Sequence, residues 1–189
     1  MILYHLDSKN RLVEGQLIEL TKDFFKHNPD TIKYLDLYFP DGLSQWGLDE
    51  IRLHQYDFNN DNDQVSLLNS IREQTLEYTR NIYFPKFPSR FQSLFAVQDI
   101  KSIKYWIEII GGSPNIWQIE ADDSQCFCFD ASKLITPTNI NPNTYRFSMS
   151  FFHVAALNYW STYSTQTDSL LLHEYLVKPP IKILKNIDL

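Results

Sequence analysis

The stretch LLHEYLVKPPIKILKNI, residues 171–187, restricts the fold of this chain more than any other segment. Two apolar runs of strand length stand on either side of Pro179 and Pro180. Proline fixes its φ angle and removes a backbone donor, so the pair is predicted to be the turn that sends the second run back as the last strand. His173 and Glu174 stand at the entrance of the first run, where a buried strand needs neither side chain. This stretch is therefore the first candidate for a functional site.

Length and composition indicate one folded domain over residues 1–189. Hydrophobic residues make up 43% of the chain and aromatic residues 15%, which excludes a disordered protein. The formal net charge is −6, so no basic excess drives non-specific binding to nucleic acid. No apolar run approaches the roughly 18 residues of a membrane span, and the N-terminus lacks a secretory signal pattern. We expect a cytoplasmic protein without membrane association.

Hydrophobic periodicity predicts the main helices and strands. The opening residues MILYHL are typical of a strand, and helices are predicted over residues 63–83, 100–110 and 153–163. In the longest of these helices, apolar positions that include Tyr78 and Ile82 recur at spacings of three and four, and Glu73 falls between them.

IWQIEA and CFCFDA, residues 116–121 and 126–131, are predicted to form a strand pair joined by the acidic turn between them. Cys126 and Cys128 are the only cysteines of the chain, and strand alternation places both side chains on one face. A pair with this spacing and no second Cys or His cluster is poor evidence for zinc, so we expect two structural thiols and no metal site.

Three stretches resemble the motifs of the ADP-ribosyltransferase superfamily, in particular its poly(ADP-ribose) polymerase-like and DNA-targeting toxin-like branches. HEYLVKPPIKIL resembles the terminal motif, a strand that carries the catalytic glutamate. SRFQSLFAV, residues 89–97, resembles the second motif, a strand that opens into a helix. YHLDS, residues 4–8, lies where the family places its first motif, which is built on a histidine. The three stretches occur in the family's order.

The resemblance implies an α+β fold with a compact ADP-ribosyltransferase-like split-sheet core and flanking helices, in a single catalytic-type domain. It implies an NAD-dependent mono-ADP-ribosyltransferase that transfers ADP-ribose from NAD to a macromolecule, with no metal. The small size and expected cytoplasmic location favour a toxin restrained by an inhibitory antitoxin partner. RNA or DNA is slightly favoured over protein as the acceptor. Leu172 stands where arginine-modifying members carry Glu or Gln, which argues against an arginine acceptor.

The same resemblance assigns roles to individual residues. Glu174 would hold the nicotinamide-ribose 2′-hydroxyl and stabilise the cation that develops as nicotinamide leaves. His5 would bind a ribose hydroxyl or the nicotinamide end of NAD. Arg90 would pair with the pyrophosphate, and Arg11 is the alternative for that role.

Stacking on the nicotinamide ring is assigned to Phe95 or to Tyr4. The usual stacking tyrosine of the second motif falls on Leu94, and Leu6 follows His5 where the family has a small residue. These two departures favour an alternative, a non-catalytic interaction module on the same fold. An NAD glycohydrolase, which uses water as the acceptor in the same pocket, is a further alternative.

Each assigned residue also has a structural interpretation. Glu174 at the start of a strand is also typical of a solvated residue or of an ion-pair partner for Lys178 or Lys182. His5 is as typical of a hydrogen-bonded strand residue as of a ligand-binding one. Arg90, which follows a proline and a serine, is also typical of a residue that anchors a loop.

Overall fold

The computed structural model of the chain describes residues 1–23, 29–51, 61–134, 149–163 and 172–188. Five α-helices and seven β-strands lie within them, so the predicted α+β class is confirmed. The strands are β1 (Ile2–Asp7), β2 (Leu17–Ile18), β3 (Leu94–Ala96), β4 (Asn115–Glu120), β5 (Cys126–Asp130), β6 (His173–Val177) and β7 (Ile181–Asn186). The helices are α1 (Pro29–Tyr38), α2 (Gln45–Ile51), α3 (Asp61–Tyr83), α4 (Ile100–Ile110) and α5 (Met149–Trp160).

The strands form two antiparallel sheets. The first has the order β1-β4-β7-β2, and the second has the order β3-β6-β5. A bridge between Tyr4 and Val97 joins the edge strands β1 and β3, with N···O distances of 2.9 and 2.8 Å. The two sheets therefore meet at this pair of edges.

Alternating side chains from both sheets pack against each other in one apolar layer. The first sheet contributes Leu3, Trp117 and Ile183, and the second contributes Cys128 and Tyr175. Cys126 packs against the same layer, so the prediction that the two cysteines share a face is confirmed. Both thiols are free. We call this region the inter-sheet layer.

The opposite face of the three-stranded sheet is covered by α3 and α5. Phe129 and Leu176 from the sheet pack against Leu76 of α3 and Trp160 of α5. The indole nitrogen of Trp160 donates to the carbonyl oxygen of Leu76 at 2.9 Å, which ties the two helices together. Residues of β6 alternate between the two layers, so Glu174 points toward the helices with Leu176. We call this region the helix-covered face.

Local signals placed α4 correctly. The helix runs from Ile100 to Ile110 as predicted, and Asp99 accepts a hydrogen bond from the backbone nitrogen of Ser102 at 2.8 Å. Gly111 follows with a positive φ of 74°, the geometry that glycine adopts most easily after a helix. A cap at one end and a glycine at the other fix the bounds of this helix.

The predicted pairing of IWQIEA with CFCFDA is wrong. These segments are strands β4 and β5, but β4 pairs with β1 and β7, while β5 pairs with β6. A short 3-10 helix, Asp123–Gln125, carries the chain from one sheet to the other. Adjacent strand patterns favoured a hairpin, whereas partners far away in the sequence formed the sheets.

The apolar periodicity of α3 indicated the wrong buried face. Tyr78 is 62% exposed, whereas Glu73 is only 1% exposed and Glu77 is also buried. Arginine side chains pair with both carboxylates, and this pairing offsets the free-energy cost of burying the charges. The last helix also differs from its predicted bounds of 153–163, because α5 begins at Met149 and ends at Trp160.

Candidate functional site

A buried polar cluster lies on the helix-covered face, with Arg90 at its centre. Arg90 begins a short 3-10 helix, Arg90–Gln92, immediately before strand β3. Ser89 caps this turn by accepting a hydrogen bond from the backbone nitrogen of Phe91, and its hydroxyl donates to Glu77 at 2.9 Å. The capped turn ties the base of the Arg90 side chain to α3.

The guanidinium group of Arg90 bonds to residues from three elements. Its Nε donates to Oε2 of Glu73 on α3 at 2.8 Å. Its Nη1 donates to the hydroxyl of Tyr159 on α5 at 2.9 Å and to Oε1 of Glu174 on β6. The Tyr159 hydroxyl in turn donates to Oε1 of Glu174 at 2.6 Å. One carboxylate oxygen of Glu174 therefore receives both an arginine and a tyrosine donor.

Aromatic rings complete the surroundings of Arg90. Its Cζ lies over the ring of Phe95, 4.7 Å from the centroid, and over the ring of Tyr159 at 5.2 Å. Both distances are within the range of cation–π attraction. We call Arg90, Phe95, Tyr159, Glu73 and Glu174 the Arg90 cluster. Arg90 is 4% exposed and Glu174 5%.

Charge balance stabilises this cluster despite its burial. Arg72 also donates to Glu73, with an Nη2 to Oε1 distance of 2.8 Å, so two carboxylates face two guanidinium groups. Burial alone would raise the pKa of Glu73, but Arg90 and Arg72 hold that pKa below its ordinary value. Desolvation opposes the charge on Arg90, yet Glu174 and Glu73 raise the pKa of Arg90 well above its usual value. Glu73 and Arg90 therefore stay charged at neutral pH.

The Tyr159 hydroxyl stays protonated in this environment. Burial, and then the negative charge of Glu174, raises the pKa of Tyr159 well above its ordinary value. A protonated hydroxyl donates to Glu174 while it accepts from Arg90. The hydrogen bonds that Glu174 makes within the described residues use Oε1.

The structure brings together three of the residues that the resemblance assigned. Arg90 contacts both Phe95 and Glu174, although Arg90 and Glu174 stand 84 positions apart in the chain. His5 lies next to this group, because its Nδ1 is 2.7 Å from the carbonyl oxygen of Phe95. Its side chain, however, lies on the same face of β1 as Leu3, which packs in the inter-sheet layer. The His5 ring therefore points away from Glu174.

Burial lowers the pKa of His5, although the Phe95 carbonyl opposes the shift. The imidazole is therefore neutral at neutral pH, and its Nδ1–H donates to that carbonyl. This geometry makes His5 a support for strand β3 beside the cluster, and it does not direct the ring at Glu174.

Tyr4 and Arg11 lie outside the Arg90 cluster. Tyr4 packs with Val97 and Ile103 beneath α4, on the other face of β1 from His5. Arg11 is on the surface, where its Nη1 pairs with Asp49 at 2.9 Å. Neither residue contacts Glu174 in this structure.

Metal-binding groups and membrane-spanning helices are both absent from the part of the chain that the structure describes. They contain no group of three or more His, Cys, Asp or Glu side chains that could hold a metal ion. Within the same residues, no helix has both the length and the apolar character needed to cross a membrane.

A family model described as "Protein of unknown function (DUF2441)" matches residues 3–189. The chain belongs to the DUF2441 family. No curated protein matches the chain. The matched range runs from β1 to β7, so the Arg90 cluster lies wholly within the DUF2441 domain.

Sequence patterns did not identify two members of the cluster in this DUF2441 protein, Glu73 and Tyr159. Glu73 interrupts an apolar pattern and so resembled a solvated residue. Tyr159 stands in α5, whose segment MSFFHVAALNYW is apolar on nearly every side. A helix of that kind is usually buried on all sides, and a buried tyrosine hydroxyl needs a partner. That was the available signal, although it could not name Glu174 as the partner.

Proposed function

We propose that this DUF2441 protein is an NAD-dependent mono-ADP-ribosyltransferase in which Glu174 is the catalytic residue. The observation that carries the proposal is that Arg90 bonds to Glu174 and lies over the ring of Phe95. The motif resemblance assigned these residues to one NAD site, and they come from two distant segments of the chain. The two antiparallel sheets that meet at β1 and β3 fit the split-sheet core of that superfamily.

In this reaction the bond between nicotinamide and C1′ of the ribose breaks, and nicotinamide leaves with the bonding electron pair. Positive charge develops on the ribose, and the Glu174 carboxylate stabilises it while Oε2 accepts from the 2′-hydroxyl. An oriented charge of this kind in a water-excluded site contributes about 100-fold or more to the rate. A nucleophile of the acceptor then attacks C1′ and loses its proton to Glu174 or to solvent.

The other assigned residues would bind NAD. The ring of Phe95 would stack on nicotinamide, and Arg90 would pair with the pyrophosphate. The acceptor is a macromolecule, with RNA or DNA slightly favoured over protein, as expected for a toxin held inactive by a partner protein. Because Glu174 is 5% exposed, this function requires the Arg90 cluster to open before NAD reaches the carboxylate.

The same cluster supports a second candidate, a non-catalytic interaction module. The favouring observation is that Glu174 and Arg90 already bond to each other and are buried inside the protein. Paired buried charges are often purely structural. In that case substitutions in the cluster would change the stability of the protein, and neither the wild type nor the variants would have enzymatic activity.

Adenylate-labelled NAD separates these candidates. The purified protein is incubated with this NAD and with RNA, DNA or a cell lysate, and nuclease or protease sensitivity then identifies the labelled polymer. We expect labelled polymer from the wild type, and a loss of about 100-fold or more in Glu174→Gln. Glu120→Gln, an exposed carboxylate on β4, is the matched control and should retain full activity.

Each remaining result supports a different candidate. Free nicotinamide without labelled polymer would indicate a glycohydrolase. A folded wild type that neither releases nicotinamide nor labels any polymer would indicate the interaction module. Equal labelling by the wild type and Glu174→Gln would remove Glu174 from the catalytic role.

A further inference from the structure

The surroundings of the Arg90 guanidinium have the chemistry of a binding site for a planar organic cation. Two aromatic ring faces, from Phe95 and Tyr159, lie 4.7 and 5.2 Å from its Cζ. Two carboxylates, Glu73 and Glu174, bond to its nitrogens. Ring faces attract a flat cation, and carboxylates balance its charge. We call these four side chains the cation cage.

The walls of the cage are held by contacts that do not involve Arg90. The ring of Tyr159 stacks on Phe129, with centroids 5.1 Å apart and an interplanar angle of 27°. Glu73 is bonded by Arg72 through two nitrogens, at 3.1 and 2.8 Å.

Phe95 and Glu174 are held in the same way. Phe95 belongs to strand β3, which pairs with β6, and its ring packs edge-on against Trp46 at 4.8 Å. Glu174 accepts from Tyr159 at 2.6 Å. A site whose walls are independently fixed is pre-organised for a ligand, which lowers the free-energy cost of binding.

We propose that the cation cage is a binding site for a planar organic cation and that Arg90 is its internal occupant. A ligand of this class takes the place of the guanidinium group and keeps the charge balance of the two carboxylates. A neutral ligand of the same shape does not, because it leaves a buried carboxylate without a partner.

The proposed function names one natural ligand of this class, and this step rests on that function. The nicotinamide ring of NAD is a planar pyridinium cation. When it enters the cage, Arg90 leaves and its planar fork becomes free to pair with the pyrophosphate. Exchange of one cation for another would couple NAD binding to the opening of the buried cluster.

Arg90→Ala tests the cage by removing its occupant. We expect millimolar methylguanidinium to raise the melting temperature of Arg90→Ala by about 4 °C or more. Neutral methylurea, which has a similar shape, should have no such effect. In the wild type the tethered Arg90 already fills the cage and outcompetes a small free cation at this concentration, so neither compound should stabilise it. 1-Methylnicotinamide, a cation, should also stabilise the variant, whereas neutral nicotinamide should not.

Arg80→Ala is the matched control, since Arg80 pairs with the buried Glu77 at 2.7 Å through a different set of neighbours. Equal stabilisation of Arg80→Ala would mean that any arginine-shaped gap beside a carboxylate binds methylguanidinium, and the cage proposal would fall. Loss of two ion pairs could leave Arg90→Ala unfolded, so the double variant Arg90→Ala/Glu73→Gln is measured beside it. Folding of either variant on addition of methylguanidinium supports the cage, and no response in either overturns it.

The outcomes for the cage and for the enzyme are distinguishable. Stabilisation by both cations, with no NAD binding or consumption by the wild type, supports the cage and rejects the transferase. NAD consumption by the wild type without stabilisation of the variants supports the transferase and rejects the cage. Stabilisation by methylguanidinium alone overturns the assignment of nicotinamide to the cage.

Discussion

Truncation of Glu174 should destabilise the protein strongly. Glu174→Ala removes a carboxylate that is 5% exposed, together with its ion pair to Arg90 and a 2.6 Å hydrogen bond from Tyr159. Loss of one partner of a buried ion pair costs about 3–5 kcal/mol, because the other charge stays buried. Glu73 still pairs with Arg90 at 2.8 Å in the variant, so we expect the lower end, about 3 kcal/mol.

Urea unfolding followed by circular dichroism at neutral pH measures this free energy of unfolding directly. For a chain of this size, a loss of about 3 kcal/mol lowers the melting temperature by about 6–12 °C. Glu174→Gln keeps the shape and the acceptor oxygen but loses the charge, so its cost should be about 1–2 kcal/mol. The control Glu120→Ala removes an exposed carboxylate and should stay within about 0.5 kcal/mol of the wild type.

The order of these three values tests the buried network. A Glu174→Ala variant as stable as Glu120→Ala would refute the assignment of Glu174 to a buried ion pair with Arg90. A Glu174→Gln variant as unstable as Glu174→Ala would mean that charge, and not shape, accounts for the whole effect.

Three further predictions concern other parts of the molecule. Gly47→Ala should lower the free energy of unfolding by about 1–3 kcal/mol in urea titrations, because an added Cβ would lie 2.1 Å from the Phe91 carbonyl oxygen; no loss would contradict this close approach. Trp117→Phe should change stability by less than about 1 kcal/mol, since the cavity it leaves is offset by removal of a buried indole N–H that has no partner among the described residues. Burial lowers the pKa of His5, although its bond to the Phe95 carbonyl opposes the shift. As the pH falls, His5 of the unfolded chain is therefore protonated before His5 of the folded protein. Wild-type stability should therefore fall as pH drops below about 6.5, and a urea titration on each side of that pH should show a smaller fall for His5→Gln.

Local signals in the sequence were sufficient for elements that depend on neighbouring residues. Helix α4 has its own cap at Asp99 and its own glycine at Gly111, so its bounds were predictable. Strands β6 and β7 were predictable from their apolar runs and from the Pro-Pro break between them. Each of these signals acts within a few residues, so the existence of the element is predictable before its distant partner is known.

Pairing between distant segments was not predictable in the same way. The pattern of β4 and β5 is compatible with a hairpin, but β4 lies between β1 and β7 instead. The burial of Glu73 depends on Arg90, which another element supplies. A periodic pattern records polarity alone, and it cannot show that a charged residue has a buried partner of opposite charge.

The motif resemblance predicted part of the candidate site. It selected Arg90, Phe95 and Glu174, which do lie together. It gave no indication of Tyr159, because the resembling stretches do not include α5. The assignments of Tyr4 and Arg11 placed residues near the site that lie elsewhere, under α4 and on the surface.

Release of nicotinamide from NAD tests the central claim most directly, since this bond breaks whatever the acceptor is. The rate is measured by chromatography for the wild type and for Glu174→Gln, at temperatures where both are fully folded. We predict measurable release by the wild type and a rate that is lower by about 100-fold or more in the variant. Equal rates, or a folded wild type that releases no nicotinamide, would contradict it.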